Sequence, residues 1–248
     1  MRILLLNPNT SVDITARLAE AAKACAAPTT EIVTATAARG VPYIATRAEA
    51  TIGGAVALEM LADLHTSVDA AVIAAFGDPG LGGARELFPI PVIGMAEAGM
   101  LTACMLGRSF GIVTFAEALE PWYRECVEWH GLTGRCAGIR TLSGGFRSIS
   151  SVQEDKETAL VELACRSVIE DGADVVLLAG APLAGMANKV RERIPVPVVD
   201  CIGAAIKQAE VLLALNTRKA TAGTFRRPDP KPSIGLPATL QDWLGGAR

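Results

Sequence analysis

Aromatic residues make up only 4% of this 248-residue chain, too few to furnish the base-stacking surfaces that single-stranded nucleic acids use. Basic charge is short as well. With 23 Lys and Arg against 26 Asp and Glu, the net charge is −3, so no positive field awaits a phosphate backbone. Nucleic acid is excluded as a partner. Long apolar runs are also missing: half the residues are hydrophobic, yet no uninterrupted stretch approaches the ~18 residues that a membrane-spanning helix needs. The opening Met1-Arg2-Ile3-Leu4-Leu5-Leu6-Asn7 is apolar over four residues and stops at Asn-Pro-Asn, which reads as a buried first strand rather than a leader peptide. A soluble chain with no membrane partner is expected.

Histidine is scarcer still, at His65 and His130 alone. Each closes a helical stretch, where the C-terminal dipole favours an imidazole, and both read as structural. No His/Cys/Asp/Glu cluster has metal-site spacing. The Gly-rich Gly80-Leu81-Gly82-Gly83 lacks both a dinucleotide fingerprint and a P-loop lysine. Neither a metal nor another cofactor is expected. Cys25, Cys104, Cys126, Cys136, Cys165 and Cys201 form no Cys-x-x-Cys pair, and a chain with so large an apolar fraction needs no disulfide framework; reduced thiols in a cytoplasm are expected. Gly107-Arg108-Ser109-Phe110-Gly111 has the Gly-x-Ser-x-Gly pattern of hydrolases. That chemistry wants the serine on a strand-to-helix turn, whereas Ser109 opens a strand and has no histidine placed to serve it. Ser143-Gly144-Gly145-Phe146 reads as a plain turn ahead of an anion-holding nest.

What the chain does have is a repeat. Val68-Asp69-Ala70-Ala71-Val72-Ile73-Ala74-Ala75-Phe76-Gly77-Asp78-Pro79-Gly80 returns as Gly172-Ala173-Asp174-Val175-Val176-Leu177-Leu178-Ala179-Gly180-Ala181-Pro182-Leu183-Ala184-Gly185. Each copy is an Asp-led strand that ends in small residues at a Gly/Pro turn. Each is followed by a strand with alternating prolines, Pro89-Ile90-Pro91-Val92-Ile93 and Pro195-Val196-Pro197-Val198-Val199. Upstream, Arg2–Thr10 aligns with Ser109–Glu117, setting Asn7 opposite Thr114. Apolar β-branched runs near 2–6, 31–35, 70–75, 91–94, 109–114, 136–141, 174–178 and 197–199 alternate with helical periods near 10–25, 48–66, 97–107, 117–129, 152–171 and 201–215. That is an α/β fold with parallel sheets. It divides into half-domains at 1–106 and 107–215, with a Pro-rich tail at 216–248 that packs on the body or on a neighbouring subunit. Two pseudo-symmetric halves with matching strand ends predict one pocket between them. The convergence of Asn7, Phe76, Thr114 and Gly180 on one cleft is the expected form of that pocket.

Helix starts are signalled by Thr10 and Ser11, by Thr46 with Glu49, and by Ser150 or Ser151 with Glu154, the last two at capping-box spacing. The segment Arg39–Ala45 could fold over a pocket mouth. Asn7-Pro8-Asn9-Thr10 places two carboxamides and a hydroxyl at a strand-to-helix junction, and a carboxamide offers a donor beside an acceptor, suited to an amide, ureide or carboxylate. Phe76-Gly77-Asp78 and Gly180-Ala181 add small residues and backbone N–H groups. Asp78 reads first as the cap of the next helix.

Asn7-Pro8-Asn9, Phe76-Gly77-Asp78-Pro79-Gly80, Pro91-Val92-Ile93-Gly94-Met95-Ala96-Glu97-Ala98, Val113-Thr114 and Pro197-Val198-Val199-Asp200 together resemble the aspartate/glutamate racemase superfamily, in its hydantoin and allantoin racemase branch. The resemblance runs from Arg2 to about Leu215. It implies an Asp/Glu racemase-like fold of two pseudo-symmetric halves, a homo-oligomer, a small-molecule substrate and no cofactor. It also implies two cysteines flanking the stereocentre, one removing the α-proton and the other delivering a proton to the opposite face. Their positions here hold Ala75 and Gly180. Asn7, Asn9, Thr10, Ala75, Phe76, Gly77, Thr114, Phe115, Gly180 and Ala181 are the expected substrate-binding residues. Three readings follow: a hydantoin-racemase-like enzyme for a small cyclic amide, ureide or amino-acid derivative without the two-thiol machinery; an isomerase, lyase or hydrolase whose acid or base is Asp78, Tyr43, Glu97 or Asp200; or a catalytically silent binding protein.

Overall fold

The computed structural model describes residues 1–144 and 148–246. Four parallel strands, β1 (Arg2–Asn7), β2 (Glu31–Thr36), β3 (Ala70–Ile73) and β4 (Val92–Gly94), form one sheet in the order β2-β1-β3-β4. A second sheet repeats it with β5 (Phe110–Thr114), β6 (Cys136–Thr141), β7 (Val175–Leu178) and β8 (Val198–Asp200) in the order β6-β5-β7-β8. Every pairing is parallel. The α/β duplicated fold expected from the repeat is what the chain adopts.

Strand β1 shows how the apolar pattern is used. Ile3 and Leu5 point into the main core while Leu4 and Leu6 point into a second cluster on the opposite face, and all four are fully buried. A strand covered on both sides reads as a continuous apolar run, and each such side chain contributes roughly 1.5–3 kcal/mol relative to exposure. The principal helices are α1 (Val12–Cys25), α2 (Arg47–Leu64), α3 (Leu81–Leu87), α4 (Met95–Leu106), α5 (Glu120–Trp129), α6 (Val152–Asp171), α7 (Met186–Val190), α8 (Cys201–Ala214) and α9 (Ala238–Leu244). Helices α4 and α8 pack on each other between the sheets: α8 meets β3 and β4 of the first sheet as well as β8, and α4 meets β7 and β8 of the second. The main core therefore runs through both halves without a break.

Ser11 caps α1 and Thr46 with Glu49 forms the capping box of α2. The box expected from Ser151 and Glu154 is absent; Ser148 and Ser151 cap each other in a 3-10 turn ahead of α6 instead. Two short helices, α3 and α7, escape the sequence pattern because each starts from a left-handed glycine, Gly80 (φ 81°) and Gly185 (φ 80°), rather than from a polar cap. In the tail, Leu240 of α9 is buried beside Leu61 and Phe88 in the second cluster. The Trp243 indole donates to Leu87 O at 3.1 Å, and the Arg227 guanidinium lies 3.9 Å above its ring. No helix among the described residues is long and apolar enough to cross a membrane.

Candidate active site

A cavity opens at the carboxyl ends of β1, β3, β5 and β7, where the duplicated halves face each other. Its lining includes Ala75 and Phe76 after β3, Phe115 after β5, and Gly180, Ala181 and Pro182 after β7. Asn9 and Ile14 enter from the β1–α1 junction, Pro42, Tyr43 and Ile44 from the loop before α2, Trp122 and Tyr123 from α5, and Ile149 from the segment before α6. Ala75 and Gly180 thus border the same space. Their side chains leave it without chemistry of their own.

The space is narrow, with a cavity volume of about 20 Å³, little more than one water requires. Gly180 contributes to the narrowness. Its φ of 114° lies where L side chains rarely go, and a Cβ on it would stand 2.7 Å from Phe115 Cε1 and 3.4 Å from Tyr123 Oη. Tyr43 covers the cavity from the mouth, its ring 5.9 Å from that of Phe115. Its loop is held by Thr10 N donating to Val41 O at 3.0 Å and by the Glu49 carboxylate accepting from Ala45 N at 2.7 Å.

Among the described residues, no Asp, Glu, Lys, Arg, His or Cys occurs in this lining. Its ionisable groups are the two phenols. Burial, with the Glu49 charge nearby, pushes Tyr43 well above the usual tyrosine range. Burial likewise raises Tyr123, which is hydrogen-bonded to Thr114. Both are therefore neutral donors near pH 7 rather than bases. The Tyr43 hydroxyl is buried with no hydrogen-bond partner among the described residues, a costly state unless a ligand completes it. Asn9 has its carboxamide oxygen occupied by Asn7 Nδ2 and Ser11 N at 3.0 and 2.9 Å, so what it retains for a ligand is its NH2.

Other expected site residues lie outside the lining. Asn7 is fully buried beneath it, its NH2 donating to Asn9 Oδ1, Ser11 O and Thr15 Oγ1 while its oxygen accepts from Asn9 N. Asn7 shapes the turn that presents Asn9. Thr114 donates to Ala179 O at 2.9 Å and so fixes the peptide before Gly180. Thr10 is a loop anchor. Gly77 and Asp78 face a separate outer groove with Arg47, Glu125 and Trp129. Of the plain turn expected at Ser143–Phe146, Gly145 and Phe146 lie outside the described residues.

Asp78 caps a helix, but not the next one. Its oxygens accept from Ala96 N and Glu97 N, both at 2.8 Å, at the start of α4, while α3 begins at Gly80. Asp78 Oδ2 also meets His130 Nε2 at 3.1 Å, and His130 Nδ1 lies 3.5 Å from Glu97 Oε1. Glu97 in turn pairs with Arg85. His130 is thus more than a helix-end imidazole. Burial alone would lower its pKa, but the hydrogen bonds and charges of Asp78 and Glu97 overcome this and hold it at about 9. Burial would raise Glu97; its partners His130 and Arg85 bring it instead to about 2.

Asp200 is likewise committed, accepting from Gly185 N, Ile202 N and Gly203 N at the start of α8. The one grouping of metal-ligand type among the described residues is Asp78, Cys126 and His130, with donor atoms within 4.8 Å of one another. Linear spacing could not show it. Because both Asp78 oxygens already accept backbone N–H groups and Oδ2 also meets the imidazole, it reads as an ion pair beside a thiol, and burial raises that Cys126 thiol well above its usual range.

A family model described as Asp/Glu/hydantoin racemase matches residues 3–209. The chain belongs to this family. A hydantoin racemase of Paenarthrobacter aurescens is 34% identical over 93% of this chain and 99% of its own. A hydantoin racemase of Pseudomonas sp. (strain NS671) is 32% identical over 95% of each. Among solved structures, an allantoin racemase from Klebsiella pneumoniae superimposes with a TM-score of 0.90 at 33% identity, covering 98% of both chains. Membership agrees with the fold of two matching parallel sheets. The lining residues that sequence reading missed, Trp122 and Tyr123 above all, belong to a helix whose approach to β3 is a tertiary event. An adjacent Trp-Tyr pair in so aromatic-poor a chain was the one available signal.

Proposed function

We propose that the chain binds a small uncharged cyclic amide or ureide, or an amide-type amino-acid derivative, between Ala75 and Gly180, without a cofactor and without two-thiol racemisation. The observation that carries this reading is a cavity bordered by Ala75 and Gly180, the positions read as cysteine-equivalent, and free of charged side chains and thiols among the described residues. An amino-acid zwitterion or dicarboxylate would lose its hydration there without a counter-charge, a penalty of several kcal/mol. A neutral ring would lose much less. Tyr43 Oη and the Asn9 NH2 supply donors for its carbonyl oxygens, while Phe76, Phe115 and Trp122 supply apolar walls. Admission of a ring requires the walls to part, since the cavity is barely larger than a water.

The silent-binding form of this reading is favoured over a replacement base. Asp78, Glu97 and Asp200 are outside the cavity and already hydrogen-bonded, and the two phenols are raised too far to abstract a proton near neutrality. Calorimetry with 5-benzylhydantoin and with allantoin, alongside NMR exchange of their α-proton in deuterated buffer, tests it. Binding with exchange no faster than in buffer is expected, and Tyr43→Phe should weaken that binding by roughly 1–3 kcal/mol through loss of the donor. Rapid exchange or racemisation by the unaltered chain would sink the reading.

A further inference from the structure

We infer that His130 is a positioning residue for the cavity, holding α5 across the two halves so that Trp122 and Tyr123 form its wall. The geometry is a three-step clasp. Phe76, Gly77 and Asp78 leave β3 of the first half in sequence, and each meets a residue at or just beyond α5 of the second. The Phe76 ring lies 4.5 Å from that of Tyr123. Gly77, at φ 103°, lies so close to Trp122 that a Cβ would fall inside the indole. Asp78 Oδ2 is 3.1 Å from His130 Nε2. Ala75, one residue earlier, lines the cavity itself.

Of these three contacts, only the last is set by charge. The His130 side chain is 4% exposed, and the ionisable groups facing it are Asp78 from the loop after β3, Glu97 from α4, Arg85 from α3 by way of Glu97, and Cys126 on α5 itself, whose thiol is neutral. Two carboxylates against one guanidinium leave an excess negative charge that an imidazolium balances. A neutral imidazole leaves that charge buried and uncompensated, which weakens the hold on Asp78. Since Asp78 adjoins Gly77, and Gly77 abuts Trp122, loosening at His130 is felt in the cavity wall. None of this depends on the ligand class proposed above.

Three tryptophans make the test direct. With 5-fluorotryptophan incorporated into the full chain and the resonances assigned by Trp122→Phe, Trp129→Phe and Trp243→Phe, fluorine NMR follows each indole from about pH 7 to about pH 10.5, across the range in which a raised imidazole titrates. Trp129, whose ring is 4.7 Å from that of His130, reports protonation locally. Trp122 reports the cavity, and Trp243 on the docked tail is the control. Trp129 and Trp122 are expected to shift together with a midpoint near about 9 while Trp243 stays flat. In His130→Gln, Trp122 should already sit at its high-pH position and no longer move. A Trp129 that titrates beside a Trp122 that does not would overturn the inference, since His130 would then be a local ion pair with no reach into the cavity. Absence of any transition while the chain stays folded would overturn it too. The titration of the unaltered sequence decides the matter even if the His130 variant does not fold.

Discussion

At φ 114° and ψ 141°, Gly180 occupies backbone space that a Cβ makes unfavourable, and Phe115 fills the room where that Cβ would go. Glycine here is more than a missing side chain, because the backbone has settled into a glycine conformation. Position 75 is different: Ala75 has a Cβ and no positive φ, so a cysteine there adds one atom to an existing direction. Gly180→Cys should therefore destabilise the chain by about 1–3 kcal/mol, whereas Ala75→Cys should cost less than about 1 kcal/mol. Urea denaturation of the two variants measures the difference. An unshifted midpoint for Gly180→Cys would mean the loop relaxes readily and accommodates a thiol.

Helix α5 is the element on which the site depends, and its tie to the first half should give stability a pH signature. His130 is raised from 6.5 to about 9 in the folded chain, so its contribution is fully present below about pH 6.5 and is lost as pH climbs through about 9. Glu97 is lowered from 4.5 to about 2, so its contribution is full above about pH 4.5 and fades as pH falls toward 2. Both limbs belong to one coupled network, worth on the order of 3 kcal/mol once and not twice. Stability measured by denaturant should plateau between the limbs, and His130→Gln should flatten the alkaline one. A wild-type stability that does not fall between about pH 7 and about pH 10 would refute the assignment. Strand and helix order, by contrast, was legible in the sequence, because apolar runs and helical periods are local. The Ala75 and Gly180 turns were legible as well, through the repeat. What the sequence could not display was the partnership of Asp78 with His130, 52 residues apart, or the full use of the Asn7 carboxamide within its own turn. Both depend on which polar groups meet when the chain closes, and periodicity carries no record of that.

At the scale of the whole molecule, duplication has not produced two independent bodies. Helix α4 belongs to the first half by sequence yet packs on β7 and β8, and α8 returns from the second half to cover β3 and β4. A fragment ending at 106 would expose β3 and β4 where α8 had covered them, and the complementary fragment would lack α4 beneath β7. The surface ion pairs that also bridge the halves, Arg17 with Glu154 and Arg47 with Glu125, are too exposed and solvent-screened to hold the halves together. Cohesion rests on the shared apolar layer. We therefore propose that the half-domain boundary near 106/107 marks ancestry rather than a folding unit. The full chain is expected to unfold in a single transition with coincident fluorescence and circular-dichroism midpoints, while residues 1–106 and 107–248 expressed separately should each lack a cooperative melt. If the first fragment alone showed a sharp transition and protected amides in β1 and β3, the interleaved helices would be an accessory to two self-sufficient domains, and the cavity would have to be treated as an interface between them.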